Sequence, residues 1–135
     1  DKQADGTLTN AEQKDIKDAR PQFDQRLEHV SRMREQGVKL VCGSDSAWAY
    51  YEMGDFQGEI DSHVQIGMSP MEAIVSATSD SARSCQIEDQ VGTLEVGKKA
   101  DILIVEGDPS RDHNDLNNVE DVFLGGDRID RHDYI

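Results

Sequence analysis

Asp45 is the acidic residue whose position points most directly to chemistry. It follows the short apolar run at residues 38–42, which is typical of a buried strand in a parallel sheet, and Ser44 and Ser46 flank it. Ligands and catalytic groups gather at the carboxyl ends of such strands, where a carboxylate can accept a proton or contact a metal ion. An isolated aspartate after a strand and small residues is usually a turn or helix-capping residue, so position alone favours that interpretation.

Aromatic side chains follow Asp45 at Trp48, Tyr50 and Tyr51. Together with Ser46 they follow the carboxyl end of the predicted strand, where a loop could face a ligand, and aromatic side chains commonly line ligand pockets. Packing on neighbouring helices is an equally good interpretation. Ser46, Trp48 and Tyr50 are therefore candidate substrate-loop residues.

Glu59 and His63 form another pair that could carry chemistry, because they lie one helical turn apart. This spacing suits a metal ion or a solvated ion pair on a helix face, and the ion pair is favoured.

Residues 1–12 nearly match the calcium loop of an EF-hand, with Gly6 and Glu12 at the expected positions. Gln3 departs from the pattern, and no entering helix or second loop accompanies it. A capping box formed by Thr9 and Glu12 explains the same residues without calcium. The capping box is the favoured interpretation.

The early part of the chain has the pattern of helices on either side of one strand. A helix is expected after Thr9, Pro21 is expected to open a second helix at its first turn, and Gly37 is expected to end it. The apolar face of this second helix comprises Phe23, Leu27, Val30 and Met33.

Two more helices and a further helical turn are expected beyond the aromatic segment. The first of these helices ends at Gly67, and Ser69 with Pro70 starts the next as cap and first-turn residue. The further turn spans residues 81–85. The apolar stripe of the first helix comprises Phe56, Ile60 and Val64, and the inner face of the next comprises Met71, Ile74, Val75 and Thr78.

Strands dominate after about residue 88. An extended turn segment is expected at 91–97, a second buried-type strand at 101–105 and a third strand at 119–124. Gly125 and Gly126 then predict a tight turn into a fourth strand around residues 128–129.

The charge balance argues against two classes of partner. Fourteen Lys and Arg oppose 28 Asp and Glu, and the net charge of −14 repels nucleic acid and anionic membrane surfaces. No apolar run approaches the roughly 20 residues that span a bilayer. Cys42 and Cys85 show no metal-binding spacing and nothing calls for disulfides, so a cytoplasmic location is expected.

Several sequence motifs occur in a fixed order between about residue 20 and the end of the chain. They are GVKLVCGSD at 37–45, GMSPMEAI at 67–74, AT at 77–78, GTLEVGKKADIL at 92–103 and EGDP at 106–109. In this combination they closely resemble the amidohydrolase superfamily, above all its imidazolonepropionase-like and Xaa-Pro-dipeptidase-like members. The Gly-Lys-x-Ala-Asp segment together with the following Gly-Asp-Pro is the most specific part.

The resemblance implies an α/β fold, the C-terminal end of a (β/α)8 TIM barrel followed by strands of a small β domain. Residues 38–42 would be the last barrel strand, with helices on either side. Residues 1–88 would form the end of the barrel domain, and residues 89–135 the C-terminal half of the small β domain.

The resemblance also implies a metal-dependent hydrolase of the C–N bonds of amides, cyclic amides or dipeptides. One or two divalent metals, often zinc, activate a water molecule in such enzymes, and a bound cation can lower the pKa of water to about 7. The family's aspartate after the last strand contacts the metal and carries the proton to the leaving nitrogen. It maps onto Asp45, the expected catalytic and metal-contacting residue of the complete enzyme.

Most of the family's other metal ligands have no counterpart here. The family uses a His-x-His pair on its first strand, a Lys or Glu near the middle and two further histidines. One carboxylate cannot hold a catalytic zinc, which takes about three protein ligands, and a full barrel needs roughly 250 residues. We therefore expect this chain alone to bind no metal tightly and to catalyse nothing. Its four histidines, none in a His-x-His pair, are His29, His63, His113 and His132.

Two interpretations of the whole chain remain. The favoured one is the C-terminal part of an amidohydrolase, and the alternative is a free-standing acidic binding or assembly module without catalysis. A lone barrel strand has two unpaired edges and two apolar faces. We therefore expect either the missing N-terminal part of the barrel or a second copy of the chain, by strand or helix exchange, to cover it.

Overall fold

The computed structural model describes residues 9–45 and 56–130, apart from the side chains of Asn10 and Glu12. The chain divides into two units, Asp1–Val38 and Lys39–Ile135. Within the described ranges, no helix is both long enough and apolar enough to cross a bilayer.

The first unit contains one long helix, α1, from Asn10 to Glu35. Pro21 lies inside this helix, so the prediction that Pro21 opens a second helix is wrong. A proline removes one backbone donor but fixes φ near the helical value, and the turns on both sides continue the helix across it. One of these turns is closed by an ion pair between Arg20 and Asp24 at 3.0 Å. The predicted apolar face is half-buried at Leu27 and Val30 and exposed at Phe23 and Met33.

Gly37 ends α1, as predicted. It has a φ of 84°, which glycine adopts without a steric penalty. Its amide donates to the carbonyl of Arg34 at 2.8 Å, and the amide of Val38 donates to the carbonyl of Met33 at 3.1 Å. These two bonds together form a Schellman motif, which satisfies the last carbonyls of the helix.

Residues 38–45 form an irregular segment, and the strand predicted at 38–42 does not form. A strand is defined by its hydrogen-bond ladder with a neighbour, and apolar sequence alone cannot supply that neighbour. In the described part of the chain, the strands all lie beyond residue 101 and pair with one another.

Three helices follow, close to where the sequence predicts them: α2 (Gln57–Gln65), α3 (Pro70–Ala77) and α4 (Ser79–Ser84). Gly67, with a φ of 93°, ends α2 through a second Schellman motif. Ser69 begins α3 through a complete capping box: its hydroxyl accepts from the amide of Glu72 at 3.3 Å, and the Glu72 carboxylate accepts from the amide of Ser69 at 2.7 Å.

The buried face of α3 differs from the predicted one. Ala73 and Ser76 are 0% and 2% exposed, whereas Met71 and Val75 are 48% and 38% exposed. Small side chains let α3 lie close against its neighbours. Of the predicted inner face, Ile74 is half-buried and packs against the core cluster as expected, whereas Met71 and Val75 do not lie on the buried face. The sequence prediction was therefore right for Ile74 and missed the small buried residues Ala73 and Ser76.

The last third of the chain forms a three-stranded antiparallel sheet of β1 (Ile102–Val105), β2 (Val119–Leu124) and β3 (Asp127–Arg128). A 3-10 helix (His113–Asn117) lies between β1 and β2. Gly125 and Gly126, with φ values of 61° and 95°, make the predicted two-residue hairpin turn. The sequence predicts a buried β1, but Leu103 and Ile104 of this strand are 48% and 39% exposed.

The core of the second unit lies where α2, α3 and the 3-10 helix pack together. Ile60 of α2, Ala73 of α3 and Leu116 of the 3-10 helix form a buried cluster. Cys42 from the irregular segment packs against this cluster. The segment that ends in Asp45 is therefore anchored on α2 and α3. The domain boundary expected at residue 88 stays a prediction.

Candidate active site

Asp45 lies at the end of the irregular segment, three residues beyond the anchored Cys42, and its side chain is exposed. Its φ of 49° is in the left-handed region, which non-glycine residues adopt at a cost of roughly 1 kcal/mol. Aspartate tolerates this region better than most residues. Within the part of the chain that the structure describes, the carboxylate is open to solvent.

The amide of Gly43 is held from α2. It donates a hydrogen bond to Oε2 of Glu59 at 3.3 Å. Glu59 lies in the first turn of α2, so this side chain connects the helix to the backbone two residues before Asp45.

A cluster of polar side chains lies under the same segment. Nδ1 of His63 is 2.8 Å from Oγ of Ser76, and that hydroxyl donates to the carbonyl of Ala73 at 2.7 Å. Because the hydroxyl proton is committed to the carbonyl, Ser76 accepts from His63, and Nδ1 carries the imidazole proton. Sγ of Cys42 is 3.6 Å from Oγ of Ser76 and 3.7 and 3.9 Å from the two ring nitrogens of His63.

The directions of the pKa shifts argue against a catalytic thiol at Cys42. Burial raises the pKa of the Cys42 thiol, the hydrogen bond between Cys42 and Ser76 opposes the rise, and the carboxylate of Glu59 adds to it. Burial lowers the pKa of His63, against the opposite effect of Glu59. Both shifts favour neutral side chains, whereas nucleophilic attack needs the thiolate. At neutral pH the cluster therefore serves as packing and hydrogen bonding under the segment that carries Asp45.

The favoured interpretation of Glu59 and His63 as a solvated ion pair is wrong. His63 is 8% exposed and bonds to Ser76, while Glu59 bonds to Gly43. The reason is tertiary: α3 covers the face of α2 that carries the histidine, so the ring is desolvated and its neutral form is favoured. The spacing of the small residues Ala73 and Ser76 was the sequence signal for such close packing.

A second polar contact ties the 3-10 helix to α2. Nε2 of His113 lies 3.0 Å from Oδ1 of Asp61, and the His113 side chain is largely buried. Fifty-two positions separate the two residues, so sequence spacing gave no signal for it.

The described side chains do not fit a metal site by themselves. Across residues 9–45 and 56–130, no three His, Cys, Asp or Glu side chains come together in a way that could hold an ion. A catalytic zinc takes about three protein ligands, so Asp45 cannot hold one with the other side chains of these ranges.

Several candidate residues lie outside the described residues. Ser46, Trp48 and Tyr50, the candidate substrate loop, are among them. Most of the EF-hand-like residues at 1–12 and His132 also lie outside the described residues. Their proposed roles stay predictions.

Comparison with known proteins gives one consistent family. The model of the amidohydrolase family matches residues 6–129. Imidazolonepropionase from Fusobacterium nucleatum subsp. nucleatum is 30% identical over 113 residues, which cover 74% of this chain and 26% of that protein. A 5-methylthioadenosine/S-adenosylhomocysteine deaminase from Caldanaerobacter subterraneus subsp. tengcongensis is 27% identical over 111 residues, which cover 75% of this chain and 26% of that protein.

A solved structure supports the same placement. A Xaa-Pro dipeptidase with methionine bound in its active site superposes with a TM-score of 0.69 at 35% identity, covering 77% of this chain and 25% of that one. The chain thus spans about a quarter of the length of these relatives. The predicted fold class, the end of an amidohydrolase TIM barrel followed by a small antiparallel sheet, is confirmed.

Proposed function

This chain belongs to the amidohydrolase family, and on that premise we propose that it is the C-terminal part of a metal-dependent hydrolase of C–N bonds. Amides, cyclic amides or dipeptides are the proposed substrates. Asp45 is the proposed catalytic residue. Its position carries the proposal: an exposed carboxylate ends a segment that lies in the family's motif and is anchored on α2 and α3.

The chemistry proposed for Asp45 is a proton transfer in two steps. The carboxylate first accepts a proton from the water that attacks the carbonyl carbon. It then donates that proton to the leaving nitrogen as the C–N bond breaks, which returns the carboxylate to its starting state. The exposed position of Asp45 allows both the water and the substrate to reach it.

The proposed metal requires ligands beyond the described residues. The family generally uses divalent ions, and zinc is the one we propose, with Asp45 as one of its ligands. Such an ion supplies Lewis-acid polarisation and a water molecule with a lowered pKa. Because the described side chains do not make a site by themselves, we propose that the other ligands come from an N-terminal part of the barrel and that this chain alone is inactive.

The test compares the 135-residue chain with the product of the same gene extended upstream. Release of free amine from a panel of N-acyl amides, cyclic amides and Xaa-Pro dipeptides is measured for both. We expect turnover in the extended product only, and a loss of about 100-fold or more in kcat on Asp45→Asn. Asp89→Asn, on an exposed turn, is the matched control and should leave kcat unchanged. An extended product without turnover would favour a free-standing binding or assembly module.

We also propose that the isolated chain self-associates or binds the missing part of its barrel. β1 lies at an edge of the sheet, and Leu103 and Leu124 expose 48% and 62% of their surface. A partner would remove this surface from water at about 25 cal/mol per Å² of apolar area. Light scattering tests this, because a monodisperse monomer at micromolar concentration would contradict self-association.

A cytoplasmic location is part of the proposal. Cys42 and Cys85 are both free thiols, which suits a reducing compartment. Quantitative thiol titration of protein recovered from its native host under alkylating conditions tests this, and an oxidised cysteine in that protein would argue against it.

A further inference from the structure

We propose that Glu59 is a positioning residue for Asp45 and acts through the backbone of Gly43. This inference rests on the function proposed above, because it assigns a role within the same site. Glu59 does not contact the reacting atoms in this account. It holds the backbone that presents the carboxylate of Asp45.

The first observation is the contact itself. Oε2 of Glu59 accepts the amide hydrogen of Gly43 at 3.3 Å, and only one residue separates Gly43 from Asp45. Hydrogen bonds to an ionised carboxylate are stronger than those between neutral groups. An amide held at this point fixes the direction in which the chain continues towards Asp45.

The second observation is that the residue before Gly43 is fixed from the same helix. Cys42 packs against the buried cluster of Ile60, Ala73 and Leu116. Its sulfur also contacts His63, one turn beyond Glu59 on α2. Two successive residues of the segment are thus held from neighbouring turns of α2, one by packing and one by a hydrogen bond.

The third observation is the backbone of Asp45. Its φ of 49° is unfavourable for a residue with a side chain, so the surrounding structure must stabilise it. Fixing Cys42 and Gly43 limits how the segment can relax. Removing the Glu59 contact should therefore let Asp45 move towards an ordinary backbone conformation.

The experiment separates the hydrogen bond from the space that the side chain fills. Glu59→Met keeps the length of the side chain but removes the acceptor, whereas Glu59→Gln keeps an acceptor oxygen without the charge. Glu88→Met makes the same change on an exposed turn and is the matched control. Backbone resonances of Gly43 and Asp45 are recorded for the 135-residue chain, and kcat and KM for the upstream-extended product.

In Glu59→Met we expect the amide proton of Gly43 to move upfield and exchange faster with solvent. The Cα and Cβ shifts of Asp45 should leave the values of a left-handed residue. In the extended product we expect kcat to fall roughly 10-fold with KM nearly unchanged, since small misplacements of a catalytic group are costly. Glu59→Gln should retain most of the wild-type resonances and kcat, and Glu88→Met all of them.

Three results would overturn the positioning role. The first is unchanged Gly43 and Asp45 resonances in Glu59→Met, and the second is equal changes in Glu59→Gln. The third is a displaced Asp45 with an unaltered kcat. Absence of turnover in the unsubstituted extended product would instead overturn the proposed function, and the resonances distinguish that case because they require no activity.

Discussion

Replacing Gly92 by alanine should destabilise the chain far more than the same change at Gly97. Gly92 has a φ of 95° and Gly97 a φ of 98°, so an added side chain meets the same backbone penalty at both positions. A Cβ on Gly92 would lie 2.7 Å from Cβ of Ala82 and 3.1 Å from Cα of Ser79. A Cβ on Gly97 would have no atom within 4 Å.

The expected loss of stability has two parts, the backbone penalty and the steric overlap of the added Cβ. The left-handed backbone costs roughly 1 kcal/mol for a residue with a Cβ, and this applies to both variants. Overpacking adds about 1–3 kcal/mol, and it applies only to Gly92→Ala. The atoms in the way include backbone at Ser79 and Thr78, which cannot rotate aside as a flexible side chain would. We expect losses of about 2–4 kcal/mol for Gly92→Ala and about 1 kcal/mol for Gly97→Ala.

Urea unfolding followed by far-ultraviolet circular dichroism measures both losses at pH 7.5. The difference between the two variants isolates the steric overlap, because the backbone term cancels. Equal destabilisation of the two variants would refute the close approach of the 88–97 turn to α4. It would also remove the packing reason for a glycine at this position of the family motif.

Three further predictions concern the core, the pH dependence and a helix cap. Leu116→Ala should lower the free energy of unfolding by about 2–4 kcal/mol, whereas Val96→Ala, at a fully exposed side chain, should change it by less than about 0.5 kcal/mol in urea titrations. Because folding lowers the pKa of His63, the unfolded chain binds a proton at this residue more readily. The free energy of unfolding should therefore keep its full value above pH 6.5 and decrease as the pH falls below 6.5. Because folding raises the pKa of Cys42, the free energy of unfolding should also decrease as the pH rises above 9.0. Urea midpoints measured against pH should show this decrease, and Cys42→Ser should reduce it. Ser69→Ala should cost about 1 kcal/mol by thermal unfolding, and Ser69→Thr should recover most of it, since threonine can also cap.

Features with local causes could be predicted from the sequence. Gly37 and Gly67 end helices because glycine adopts positive φ without strain, and Ser69 followed by proline starts α3. The Gly125-Gly126 turn fixes the register of its hairpin through the same freedom. Each of these depends on only a few consecutive residues.

Features with tertiary causes could not be predicted. The run at 38–42 is apolar enough for a strand, but a strand needs a neighbour that local sequence does not reveal. The environment of His63 depends on Ser76 and Cys42, 13 positions later and 21 earlier. Asp45 was found because a family motif carries it, whereas Glu59 became important only when its contact with Gly43 was visible.

The amount of zinc bound by the purified 135-residue chain tests most directly whether Asp45 depends on ligands from outside this chain. The chain is loaded with excess zinc, dialysed and analysed by atomic emission, with Asp45→Asn in parallel. We expect far less than one zinc per chain and no difference between the two proteins, because Asp45 needs ligands from elsewhere in the barrel. One tightly bound zinc per chain, lost in Asp45→Asn, would contradict this expectation.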